Sequence, residues 1–153
     1  MARIDTRIRE ELKRLSSMAI VKENRQKMCD GCVSLTNKRV SEFSIYIDAV
    51  SSIRSDRING KKYMAAHVKG IDKKGVYILV IPDESAFDKY QDPTRERELA
   101  IKLIDSVPTA QDCEIDVVVR ESKLPKLLSE LNSYKGNDVH KRRTFQRIVR
   151  ETV

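Results

Sequence analysis

The chain has 153 residues, 40% hydrophobic and 35% charged, which allows one hydrophobic core and puts it on the folded side of the disorder boundary, with a thin core. No run approaches the roughly 18 consecutive apolar residues of a membrane span, and the start lacks a charged-then-apolar leader, so a single domain over 1–153, cytoplasmic and off the membrane, is expected. Thirty Lys and Arg against 23 Asp and Glu leave a charge of +7, which favours polyanionic partners, while no Trp and only 5% aromatic residues argue against stacking platforms that read single strands.

Ile4, Ile8, Leu12, Leu15 and Ala19 recur at the spacing of one helical face, so Arg3 to about Ala19 is expected to form an amphipathic helix. It could run on to Met28 and stop at Gly31. Phe43, Ile45, Ile47 and Ala49 alternate with more polar neighbours, and their β-branched and aromatic character predicts a strand over 43–53. Asn59-Gly60 is a turn dipeptide, after which Tyr63–Ile71 and Val76–Ile81 read as two strands. The short link Asp72-Lys73-Lys74-Gly75 would make them an antiparallel hairpin. The second is apolar on both faces and belongs at the centre of a sheet.

Asp92-Pro93 opens a helix whose buried face is Leu99, Ala100, Leu103, Ile104 and Val107, and Pro108 ends it. Cys113–Val119 reads as a fourth strand and Leu124–Leu131 as a short helix. A last helix starts at Asn137 or Asp138. The expected fold is therefore α+β: an N-terminal amphipathic helix, a mainly antiparallel sheet of about four strands, helices packed on it, and a basic C-terminal helix.

Cys29-Asp30-Gly31-Cys32 has the spacing of half a tetrahedral zinc site. The other ligands would have to be Cys113, His67 or His140, all distant in sequence, so the expectation is reduced thiols, no metal and no cofactor. Two histidines and five scattered glycines offer neither a nucleophilic triad nor a phosphate-cradling loop.

Carboxylates occur at Asp83-Glu84, at Asp116 and at Glu121, followed by Lys123; with a divalent metal such a set could cleave phosphodiesters. The order helix, three antiparallel strands, helix, strand resembles the core of the restriction-endonuclease-like nucleases, over about half the chain and on topology alone. That resemblance implies a carboxylate from the second core strand and an acidic-x-Lys pair from the third. As the strands are read here, Tyr63–Lys69 holds no carboxylate and Pro82-Asp83-Glu84-Ser85 has no lysine, while Glu121-Ser122-Lys123 lies on a later strand.

Cationic rows carry the rest. His140, Arg143, Arg147 and Arg150 fall on one helical line, with Lys141 and Arg142 beside it, and Arg3, Arg7 and Arg14 form an N-terminal stripe. Lys73 and Lys74 sit at the expected hairpin tip. Together they predict a non-enzymatic protein that binds nucleic acid, DNA or RNA, through its phosphates with little sequence preference. The alternatives are a small subunit docking on an acidic protein surface and a metal-dependent nuclease using Asp83, Glu84 or Asp116 with Glu121 and Lys123.

Overall fold

A computed structural model describes residues 3–24, 28–35, 43–83, 93–107, 110–134 and 142–152. The first element, α1 (Ile4–Ser17), buries Ile4, Ile8, Leu12 and Leu15 along one stripe, as their spacing requires. It ends earlier than it could have. Met18 caps it and Ala19 turns the chain with a φ of +58°, a left-handed conformation typical of helix ends. The chain then forms two strands, β1 (Lys22–Glu23) and β2 (Gly31–Leu35), where the sequence offered a helix and its stop. Gly31 starts β2 because a Cβ there would run into the Cδ1 of Leu12. Glycine thus lets α1 lie close on the sheet.

The next strand, β3 (Phe43–Ala49), agrees with the alternation read from sequence but stops at Ala49. The expected strand over Tyr63–Ile71 is instead the second half of a helix, α2 (Ser55–Ile71), and Asn59-Gly60 is no turn but part of its interior. Ala65 and Val68 are buried together, three residues apart and with Ile58 a further seven back, a helical and not an alternating period. Tyr63, which a half-buried strand would place opposite Met64, is 79% exposed.

The expected hairpin is consequently a crossover. The central strand β4 (Val76–Ile81) runs parallel to β3 and is buried at every residue. After α3 (Pro93–Ser106) comes β5 (Val117–Arg120), parallel to β4 and shorter than the strand expected over 113–119. A 3₁₀ turn, Glu121–Lys123, leads into α4 (Leu124–Ser133), and α5 spans Arg142–Thr152. Asn137 and Asp138, the expected start of that last helix, lie outside the described residues.

The sheet has five strands in the order β1-β2-β3-β4-β5, not four, and it is mixed rather than mainly antiparallel: β1–β2 and β2–β3 are antiparallel, β3–β4 and β4–β5 parallel. The parallel half follows from α2 and α3, since parallel neighbours need a long crossover. Alternation splits the core between the two faces. Ile45, Ile47, Ile78, Val80, Val117 and Val119 pack with α1, α4 and α5, while Tyr46, Tyr77, Leu79, Ile81 and Val118 pack with α2 and α3. The order α1, three antiparallel strands, α2, β4 is the order on which the nuclease resemblance rests, built from other segments than the sequence suggested.

Candidate functional site

Gly31 pairs with Ile47 across β2 and β3, so the flanking residues Asp30 and Asp48 meet at the same end of two neighbouring strands. Alternation sends Ile45 and Ile47 to the α1 face and Asp48 to the α2 face, where it is 2% exposed. A carboxylate that deeply buried needs partners. Lys61 of α2 supplies one, its Nζ 3.0 Å from Asp48 Oδ1, and the Tyr77 hydroxyl of β4 donates to Asp48 Oδ2 at 2.7 Å.

Asp30 is held separately. The backbone N–H of Ala49 donates to its Oδ2 at 2.9 Å, and Arg9 of α1 donates from Nε to its carbonyl oxygen at 3.2 Å and brings NH2 to 3.6 Å from Oδ1. Burial pushes the Asp30 carboxyl up to about 6, helped by a hydrogen bond with Asp48 and by that carboxylate's charge. The centre therefore holds two carboxylates in contact, one lysine, and more negative charge than ionises comfortably.

The thiols beside it are quiet. Burial first, and then the charge of Asp48, lift Cys29 to about 12, and burial lifts Cys32 to about 11, so neither is a thiolate at neutral pH. Cys113 is buried and His67 exposed on α2. Among the described residues, no group of three or more His, Cys, Asp and Glu is placed to hold a metal ion.

The other carboxylates are dispersed. Asp83, just past β4, accepts from the Ser122 hydroxyl at 2.9 Å and shares a groove with Glu121, but Glu121 is taken by a two-pronged pair with Arg7 at 2.6 and 2.7 Å. Lys123 lines a different cavity, with Arg120 and Arg150. Asp116 precedes β5, at the opposite end of that strand from Glu121; it accepts from the Tyr77 N–H at 2.8 Å and lies 2.5 Å from Lys69 Nζ. Asp83, Asp116, Glu121 and Lys123 do not form one site. Glu84 lies outside the described residues.

Of the cationic candidates, the N-terminal stripe is met by carboxylates of the chain itself: Arg3 by Asp5 at 3.5 Å, Arg7 by Glu121, and Arg14 by Glu11. Arg143, Arg147 and Arg150 are exposed on α5, Arg147 donating to the Tyr134 hydroxyl at 2.8 Å. No carboxylate pairs with these three among the described residues. Lys73 and Lys74 are exposed at the turn between α2 and β4. Arg142 is the first residue of α5, and His140 and Lys141 lie outside the described residues.

Sequence reading passed over Asp30, Asp48 and Lys61. Asp48 carried a signal, a charge inside an apolar strand, whereas Asp30 was overshadowed by the cysteines around it. Lys61 could be found only once α2 was known to be a helix. No protein-family model matches the chain, and no curated protein and no solved structure does either.

Proposed function

We propose that this protein acts on nucleic acid and hydrolyses phosphodiester bonds at Asp30, Asp48 and Lys61. The observation that carries this reading is the buried Asp48 carboxylate in contact with Asp30 and capped by a lysine from the following helix. Its placement supports the reading too: Asp30 immediately precedes the second strand, and Asp48 lies on the third, of the helix–strand order that resembles the restriction-endonuclease-like nucleases. The lysine departs from that pattern. Two residues after Asp48 stands the buried Val50, and the amine comes from α2 instead.

The donor set suits a hard divalent cation. Two carboxylates are what Mg²⁺ commonly takes from a protein, the rest of its shell being water and substrate phosphate, and each carboxylate oxygen keeps accepting capacity beyond the hydrogen bonds described. Asp30 and Asp48 would hold that ion, which when bound offsets the charge that builds up on the phosphate. Lys61 has two further N–H donors beyond the one aimed at Asp48, suited to orienting a water or a phosphate oxygen. Tyr77 and the Ala49 N–H fix the two carboxylates, and Arg9 adds positive charge on the α1 side.

Incubating the protein with plasmid, single-stranded DNA and RNA in Mg²⁺, Mn²⁺ or EDTA tests this. Cleavage that needs metal and falls roughly 100-fold or more in Asp48→Asn and Lys61→Met is expected. Absence of cleavage in both metals would sink the proposal. The exposed row Arg143, Arg147 and Arg150 favours a second reading, a non-enzymatic phosphate binder. It predicts intact nucleic acid, retained at low salt and released as salt rises.

A further inference from the structure

The crevice between α2 and α3 lies outside the carboxylate centre and enlists none of the cations singled out from sequence. Its volume is about 1070 Å³. Among the described residues four cations line it, Arg54 and Lys62 from the α2 side and Arg95 and Lys102 from α3, against the single carboxylate Asp56. All four are exposed. Arg54 has a partner in Asp56, at 3.3 Å, but with side chains 58% and 64% exposed that pair is weak and gives way to a stronger anion. The rest of the lining joins an aliphatic floor, Ile53, Ile58, Leu99, Leu103 and Val107, all at least half-buried, to the polar Ser55, Asn59 and Ser106.

We infer that this crevice binds a single strand of nucleic acid, with its phosphates on Arg54, Lys62, Arg95 and Lys102 and its bases over the apolar floor. The inference rests on the reading of the protein as one that acts on nucleic acid, and names the form of that substrate. Charge complementarity selects a polyanion. The floor selects a single strand, because a duplex turns its bases inward and shows mainly sugar and phosphate, leaving aliphatic surface without a match. Aliphatic side chains also offer no aromatic stacking or base-edge code, so binding is indifferent to sequence. Lys61, which reaches Asp48, and Lys62, which lines the crevice, are consecutive residues of α2, so one helical segment serves both places.

Fluorescence anisotropy in EDTA, with labelled oligo-dT or oligo-U and the full chain, separates binding from cleavage. The variant Arg54→Gln/Lys62→Gln/Arg95→Gln/Lys102→Gln is expected to bind at least tenfold more weakly. Its plot of log affinity against log salt should be shallower by about 0.7 for each phosphate contact removed, roughly 3 in all. Lys13→Gln/Lys22→Gln/Lys126→Gln, exposed cations of α1, β1 and α4 outside the crevice, should bind like the parent, and circular dichroism with urea midpoints should show both variants folded. Three results would each overturn the inference: unchanged affinity and slope in the fourfold variant, a duplex of equal length bound as tightly as the single strand, or polyglutamate competing as well as oligo-dT. Crevice-dependent binding without cleavage leaves this inference standing and removes the nuclease reading; cleavage without crevice dependence does the reverse.

Discussion

Asp48 accepts from Lys61 and from Tyr77 at a position 2% exposed, so the two donors can be removed one at a time. Lys61→Met leaves the carboxylate buried without its cation and should cost about 3 kcal/mol of stability. Tyr77→Phe removes a neutral donor of the same shape and should cost about 1–3 kcal/mol, and urea melts read both. Asp30 gives a pH test. Its ordinary value is 3.8 and its folded value about 6, so between the two the folded state holds the extra proton. Stability from this group is therefore present below about pH 4 and lost as pH rises through 6. Asp30→Asn should abolish that loss, gaining on the order of 1–3 kcal/mol relative to the parent between pH 4 and 7; parallel dependence of the two urea midpoints on pH would refute it.

At the scale of elements, α2 separates what the sequence displayed from what it concealed. Four buried residues at helical spacing made α1 legible, and six consecutive apolar residues marked β4 as central. By contrast α2 buries only Ile58, Ala65 and Val68 in 17 residues and carries two glycines, so its periodicity was faint and its turn-forming dipeptide prominent. With Tyr63–Ile71 taken as a strand, the second and third core strands fall on Tyr63–Ile71 and Val76–Ile81 instead of β2 and β3, away from Asp30 and Asp48. Of the candidate site, Asp48 was visible as a charge in a strand, while its pairing with Asp30 depended on β2, whose five residues are mostly buried and show no alternation. Gly60 tests the assignment directly. It lies inside α2 with nothing within 4 Å of an added Cβ, so Gly60→Ala should stabilise by about 0.5–1 kcal/mol. A turn at Asn59-Gly60 would make the same change destabilising.

For the whole molecule, the charge of +7 is unevenly available. Arg7 is held by Glu121 in a part-buried pair, whereas Arg3 and Arg14, in exposed pairs with Asp5 and Glu11, stand with the α2–α3 crevice and the outer side of α5 as cations presented to solvent. On the proposed reading, salt should accordingly weaken nucleic-acid binding while scarcely moving the urea midpoint. Burial also governs the three cysteines, none of them in a disulfide, with Cys32 and Cys113 buried and Cys29 half-buried. Iodoacetamide at pH 8 should label the native protein slowly and take up three equivalents after unfolding, as mass spectrometry would count. Fast labelling of the native chain would contradict the high thiol values.

The contacts to Asp48 and Asp30 come from α1, β3, α2 and β4, with Asp30 itself leading into β2. No short fragment contains all of these, since they run from Arg9 to Tyr77 along the chain. A nascent or truncated polypeptide lacking β4 would carry both acidic groups in solvated loops, with ordinary acidity and nothing to hold them in register. The two carboxylates thus come together late, in step with complete assembly, so on the proposed reading an incomplete chain would be inert.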